Sequence, residues 1–476
     1  MRPLEISLLL SIALILGWCL LARTSPSHVR VLLVFSLFLL VGQVALEGQR
    51  WQMWPAYLVS IWLFVYFIRP HPLVPGRWMI LSSLVLLIAA GTIATLLPVF
   101  KLPIPTGPFP IGTVRRHLVD LKRQETQGNE GGGYRELMVQ IWYPASVPGT
   151  PEPYRSRSEV PLRRDREALV STHAAPGVPI SPAMPRYPVV IYTPADRHDE
   201  NTVPVEELAS HGFVVVGIDH PYGTGAVFFP DGRVVRSPPS RFLDFSSDEA
   251  LSASLREVNT QLYIRVADVR FVLDELERFN ENDPDRLLTG HLDLIRLGIF
   301  GYSFGGAVAA EACRSDPRFK AGIDLDGLIF GDYGSSGVRQ PFLIFGSEGT
   351  PAATPKASGS SSDPTRRKLV YLEQDEGRMR RSISRYGGYS LVIRGTEHVN
   401  FQDAALSSPI LKQRIGAGPI DANRALRIIS VYNLAFFERY LNDKSQSLLQ
   451  GPSPDYPEVG FADWRPPLSS PAIEER

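Results

Sequence analysis

The sequence predicts an α/β protein, a mainly parallel sheet covered by helices on both faces, with an apolar helical region in front of it. Three observations predict it. Short apolar runs at about 137–143, 188–192, 213–218, 297–302, 319–325, 341–345 and 389–394 alternate with helix-patterned segments, an order that returns strands parallel to one another. The run Ile295-Arg296-Leu297-Gly298-Ile299-Phe300 ends in Gly301-Tyr302-Ser303-Phe304-Gly305-Gly306 and passes into Ala307-Val308-Ala309-Ala310-Glu311-Ala312, which reads as strand, sharp turn and helix. Before all of this, apolar stretches at about 6–22, 31–46, 51–68 and 78–100 are each near the length a helix needs to cross a hydrocarbon layer of ~30 Å.

Those four stretches predict a bundle of about four transmembrane helices over residues 1–101. Trp51, Trp54, Trp78 and Tyr66 lie near the ends of the runs, where aromatic side chains favour the membrane interface. A removable signal is the alternative reading of the first run, and Leu16-Gly17-Trp18-Cys19 faintly resembles a lipidation site, but Trp18 is too bulky for one, so Cys19 reads as a span residue. With four crossings the N-terminus and the C-terminal domain share one side. Loops on the other side carry Arg23, Arg30, Arg69 and Arg77, against Arg2, Arg50 and Lys101, with Arg115 and Arg116 at the margin. The positive-inside rule then puts the C-terminal domain outside the cytoplasm.

Residues 102–460 form one α/β domain with insertions, and 461–476 a tail. The clearest helix runs from about 248 to 279, where Leu251, Leu255, Val258, Leu262, Val266, Val269, Leu273 and Leu276 recur at helical steps. Segment 422–441 is the last covering helix. Residues 145–186, rich in Pro, Ser and Arg, and 350–386, with Gly359-Ser360-Ser361-Ser362, read as loops. Forty-nine basic residues balance 49 acidic ones, so no basic field favours nucleic acid. Two cysteines, Cys19 and Cys313, make no disulfide framework.

The turn at Ser303 carries the chemistry. Glycines at 301 and 305 let strand and helix approach closely, so the strained turn can hold Ser303 above the sheet edge. A serine so placed needs a base and an acid, in the chain order Ser, acid, His. His398 is the only histidine after Ser303, and it ends the apolar run Leu391-Val392-Ile393. Asp326 ends the run Phe319 to Leu325 and is the expected acid; Asp324, two residues earlier, points to the same face by strand alternation. Two other groups are set aside. Arg197-His198-Asp199-Glu200 is not expected to hold a metal, because adjacent residues rarely converge on one ion, and His220 reads as a turn or pocket residue.

The segments Gly301 to Gly306, Gly322-Ile323-Asp324-Leu325-Asp326-Gly327 and Ile393-Arg394-Gly395-Thr396-Glu397-His398-Val399-Asn400-Phe401 resemble the nucleophile, acid and base segments of the platelet-activating-factor acetylhydrolases, a branch of the α/β-hydrolases. Leu102 to Thr113 is similar to the proline-rich lead-in of that catalytic domain, and Glu207 to Val216 with Asp219-His220-Pro221 to its second sheet strand. The resemblance spans roughly residues 102 to 445.

The resemblance implies an α/β-hydrolase fold and a membrane-anchored serine esterase that cleaves short or oxidised sn-2 acyl chains from phospholipids, with no cofactor or metal. His398 takes the proton of Ser303 and Asp326 holds the imidazole. The amide of Phe304 is one donor to the developing oxyanion. The family pattern puts the second at the amide of Asp196, in Thr193-Pro194-Ala195-Asp196, where a carboxylate replaces the usual apolar residue and would oppose the oxyanion unless it turned outward. Two alternatives keep other substrates or none: a carboxylesterase or polyesterase resembling cutinases or dienelactone hydrolases, and a non-catalytic membrane receptor built on the same fold.

Overall fold

The computed structural model describes residues 1–21, 27–68, 75–128, 133–237, 243–348 and 363–462. Arg23, Arg69, Gly359 to Ser362 and nearly all of the 461–476 tail lie outside the described residues. The chain divides into two compact units. One comprises Met1–Leu102 with Pro153–Ser171 and Leu406–Leu411; the other comprises Pro103–Glu152, Thr172–Ala405 and Lys412–Arg476.

In the first unit, α1 (Pro3–Leu21), α2 (Ser27–Gly42), α3 (Trp54–Phe67) and α4 (Arg77–Leu96) pack around Leu8, Ile12, Leu33, Ala56, Leu63 and Ala90. Their outward faces are also apolar, with Leu10, Leu14, Phe38, Leu58 and Val85 exposed. A helix apolar all round belongs in a protein core or in lipid. Among the described residues three helices are long and apolar enough to cross a membrane: Pro3–Leu21, Val29–Glu47 and Arg77–Leu96. The apolar run at 51–68 differs from expectation. Its first residues, Trp51–Met53, form a 3-10 turn, leaving α3 with 14 residues, about 21 Å at 1.5 Å per residue.

One end of this bundle is tied by buried charge. Arg50 and Glu5, both fully buried, pair at 2.6 Å, and Arg50 Nη1 donates to the carbonyls of Leu97 at 2.8 Å and Ala94 at 3.3 Å. Arg2 donates to the carbonyls of Glu47 and Gly48. The start of α1, the end of α2, the start of α3 and the end of α4 therefore meet, so the helices run alternately up and down.

Segment 153–171 belongs to the same unit and is not a plain loop. Tyr154 N donates to Val170 O at 2.7 Å, Leu162–Leu169 forms a 3-10 helix, and Asp165 Oδ2 accepts the Trp51 amide at 2.8 Å. Backbone pairing here replaces the hydrophobic periodicity that sequence reading relies on.

The second unit holds a ten-stranded sheet. Its elements in chain order are β1 (Ile111–Gln124), β2 (Tyr134–Pro144), β3 (Ala174–Pro176), β4 (Tyr187–Thr193), α5 (Thr202–Ser210), β5 (Val214–Asp219), the hairpin β6 (Ala226–Phe228) and β7 (Val234–Arg236), α6 (Asp248–Asn282), β8 (Leu292–Tyr302), α7 (Phe304–Ser315), β9 (Phe319–Leu325), α8 (Tyr333–Ser336), β10 (Phe342–Ser347), α9 (Pro364–Tyr386), β11 (Tyr389–Ile393), α10 (Ala422–Leu441) and β12 (Val459–Phe461). The sheet order is β12-β11-β10-β9-β8-β4-β5-β2-β1-β3. From β5 through β4, β8, β9 and β10 to β11 all pairings are parallel, while β2 pairs antiparallel with both β1 and β5, and β12 antiparallel with β11.

All seven expected strands are present. α6 and α7 bury Val266, Val269, Leu273, Ala307 and Val308 against one face, and α5 and α10 bury Leu208, Ile429 and Phe436 against the other. The Ser247 hydroxyl caps α6, accepting from Ala250 N at 3.0 Å. One long strand escapes the sequence reading and one expected loop is in large part a helix. β1 was hidden because half of it is charged or polar, its side chains alternating between core and solvent. Residues 364–386 of the expected 350–386 loop are the helix α9, whose buried Tyr371, Asp375 and Met379 recur every four residues among many charges.

Candidate active site

The strand β8 ends at Tyr302 and α7 begins at Phe304, so Ser303 alone makes the turn. Its φ of 55° and ψ of −120° lie where a side chain is strained. The crossing is so close that a Cβ on Gly301 would sit 2.0 Å from the Gly305 carbonyl oxygen, and one on Gly305 would sit 1.9 Å from that of Thr193. Only glycine fits at either place. The serine amide is held by Leu325 O at 2.9 Å.

Asp326 and Asp324 part company because the strand ends between them. Asp326 follows β9 with φ of 58°, which breaks the alternation that would have put both on one face. Its amide donates to Phe345 O at 2.9 Å and its Oδ1 accepts from Ser347 N at 2.7 Å, so β10 fixes it. Oδ2 meets His398 Nδ1 at 2.7 Å. Asp324 stays in the strand, where Oδ1 accepts from Gly327 N at 2.9 Å and Oδ2 is buried with no hydrogen-bond partner among the described residues. Burial pushes its carboxyl well above the usual carboxylate range.

His398 opens a 3-10 turn, His398–Phe401, after β11. Its Nε2 lies 3.0 Å from Ser303 Oγ. The side chain is 49 % exposed, so a reactant can reach it. Ser303, His398 and Asp326 thus form a continuous hydrogen-bonded chain.

The loop after β4 is where expectation and structure diverge. The Asp196 carboxylate is exposed and turned away, with Oδ1 accepting from Gly225 N at 2.7 Å. Its amide is engaged, however: it donates to Glu200 Oε1 at 3.1 Å, and the Ala195 amide donates to the same oxygen at 2.6 Å. Burial pushes the Glu200 carboxyl up to about 8, against these two amides, with help from the charges of Asp196 and Asp199. From the other side, Arg265 of α6 donates to the carbonyls of Pro194 at 3.0 Å and Ala195 at 3.3 Å. Its guanidinium carbon lies 4.7 Å from the centre of the Phe304 ring. Asn201 donates to Phe401 O and accepts the Tyr192 hydroxyl at 2.8 Å, tying this loop to the histidine turn.

Sequence reading places Glu200 on a loop near the site but gives it no part there, and it misses Arg265. A signal existed for Arg265, a charge three residues past Leu262 on the buried stripe of α6. No signal marks what Glu200 does, since its carboxyl bonds to backbone amides.

The other polar groups have structural partners. His198 Nδ1 pairs with Asp219 at 2.6 Å and Arg197 with Asp199 at 3.2 Å. His220 Nδ1 pairs with Asp268 at 2.8 Å; burial pushes its imidazole down to about 4, outweighing Asp268. Burial pushes the Asp268 carboxyl up, but Arg135 and His220 outweigh it and hold the group far below its usual range. Among the described residues no group of three or more His, Cys, Asp and Glu could hold a metal ion. Cys19 and Cys313 are free and buried.

A mostly parallel sheet with helices on both faces and a strand-turn-helix serine at its carboxyl edge is the α/β-hydrolase architecture, and the chain is a carboxylic-ester hydrolase. The comparisons with known proteins agree. A ferulic acid esterase from Streptomyces cinnamoneus superposes with a TM-score of 0.57 at 30% identity, covering 76% of this chain and 99% of that one. Residues 168–453 match the family model of platelet-activating factor acetylhydrolase, isoform II, and the chain belongs to that family. A probable 1-alkyl-2-acetylglycerophosphocholine esterase of Arthroderma benhamiae is 25% identical over 432 residues, 80% of this chain and 99% of that protein. A platelet-activating factor acetylhydrolase of Cavia porcellus is 27% identical over 290 residues, 56% of this chain and 61% of that protein.

Proposed function

We propose that this chain is a membrane-anchored serine esterase that removes short or oxidised sn-2 acyl groups from phospholipids through an acyl-enzyme. The observation that carries it is the hydrogen-bonded chain from Ser303 Oγ through His398 to Asp326, at 3.0 and 2.7 Å. His398 Nε2 takes the hydroxyl proton as Ser303 attacks the ester carbonyl, and Asp326 holds Nδ1–H and stabilises the imidazolium. The proton then passes to the departing alcohol, and water repeats the sequence on the acyl-serine. Phe304 N–H, at the start of α7, serves the oxyanion. The Asp196 amide joins it once Glu200 gives way. The apolar bundle anchors the chain, with the arginine balance of its loops favouring an extracytoplasmic hydrolase.

The named activities of the Arthroderma and Cavia relatives support the phospholipid substrate. A second reading, an esterase acting on non-phospholipid esters, draws support from the ferulic acid esterase, whose alignment covers more of this chain than the Cavia enzyme does. Purified full-length protein should label with a fluorophosphonate, and Ser303→Ala should abolish labelling. A panel of acetyl, oxidised and long-chain sn-2 phospholipids beside p-nitrophenyl and feruloyl esters separates the two readings. Preference for a simple or aromatic ester over every phospholipid would reject the first.

A further inference from the structure

We infer that Tyr302 is a positioning residue for His398, its ring setting the plane of the imidazole. The inference rests on the reading of His398 as the base. Two hydrogen bonds hold that imidazole, at Nδ1 by Asp326 and at Nε2 by Ser303. Both act at ring nitrogens along the edge, so neither packs against a face of the ring. The contact on the face comes from the residue just before the nucleophile. The Tyr302 and His398 rings are stacked, with centroids 4.9 Å apart and planes 28° from parallel.

Tyr302 is itself fixed. It is buried, at 2 % exposure. Its hydroxyl donates to His398 O at 3.1 Å and accepts from Gln402 Nε2 at 3.2 Å. One side chain thus grips both the ring and the backbone of the same residue. Burial pushes the hydroxyl well above the usual phenol range. The face of an aromatic ring also attracts a cation, so Tyr302 favours the imidazolium formed as Ser303 attacks. Both effects act in the transition state more than on substrate binding, so they belong in kcat.

The test compares Tyr302→Phe, Tyr302→Leu and Tyr302→Met in the full-length protein, measuring kcat, KM and fluorophosphonate labelling rate on the best substrate of the panel. Phe keeps the ring and should stay within about threefold of wild type. Leu and Met should lose about 10- to 100-fold in kcat and in labelling rate with KM within about twofold. Wild-type kcat in either non-aromatic variant overturns the inference. So does an equal loss in Phe, which would assign the effect to the hydroxyl. If Leu and Met fail to fold, 3,4,5-trifluorophenylalanine at 302 keeps the shape while weakening the ring face; turnover equal to Phe then overturns it. Persistent activity in Ser303→Ala would instead reject the esterase mechanism, a separate outcome.

Discussion

The amide of Asp196 donates to the Oε1 of Glu200 at 3.1 Å, so the second oxyanion donor that the sequence suggests is already occupied from within the protein. The same oxygen accepts the Ala195 amide, which makes Glu200 the organiser of the loop after β4. A substrate oxygen that recruits the Asp196 amide must take it from a buried carboxyl.

That carboxyl should link stability to pH. Its ordinary value is 4.5 and burial raises it to about 8 in the folded protein. The folded state therefore keeps a proton that the unfolded state has lost. The resulting stabilisation is full below about 4.5 and is lost as pH rises through 8, at about 1.4 kcal/mol per pH unit between. Glu200→Gln lacks this dependence. Thermal midpoints from pH 5 to 8 should therefore favour the variant increasingly as pH rises, and parallel curves would show that Glu200 ionises normally.

Asp326 and Asp324 should respond oppositely to the same change. Asp326→Asn would leave the wrong tautomer at His398 and lower turnover by about 10⁴-fold. Asp324 is buried beside Gly327 with its carboxyl well above the usual range, so Asn replaces a neutral group by a neutral one and should cost less than about tenfold. The reverse order of losses would exchange the two roles.

Arg265 steadies the carbonyls of Pro194 and Ala195. In Arg265→Met these lose a charged donor and the loop is free to shift. Turnover should fall by about tenfold or more while KM changes little. Undiminished kcat would mean that Glu200 alone holds the loop.

The Glu5–Arg50 pair, fully buried at 2.6 Å, predicts an asymmetric pattern in the bundle. Glu5→Gln strands Arg50 and should destabilise by about 3–5 kcal/mol, whereas Arg50→Met leaves Glu5 paired with Arg2 at 2.7 Å, so it and the double change Glu5→Leu with Arg50→Met should each cost less. Thermal midpoints in one detergent decide it. Additive losses would mean the two charges are not coupled.

What could be read from sequence follows periodicity and local motif. The buried strands β4, β5, β8, β9 and β10 are apolar runs, and the Gly301-to-Gly306 turn carries its own steric signature, so both were legible. The meeting of Ser303 with His398 followed from chain order. β1 was not legible, since its outward half is charged, nor was α9, whose few apolar residues are diluted by Arg, Lys and Glu. The choice between Asp324 and Asp326 was poorly determined because it depends on one left-handed residue at a strand end. The Glu200 carboxyl accepts from the main-chain amides of Ala195 and Asp196, a relation that leaves no pattern in side-chain identity.

Because Arg2 bonds to the chain beside Gly48 and Arg50 to that beside Leu97, the polypeptide enters and leaves the helical bundle at one end. Under the proposed anchoring by four crossings, a short epitope fused ahead of Met1 is expected on the same side as the hydrolase, and antibody access to both in intact cells tests that proposal.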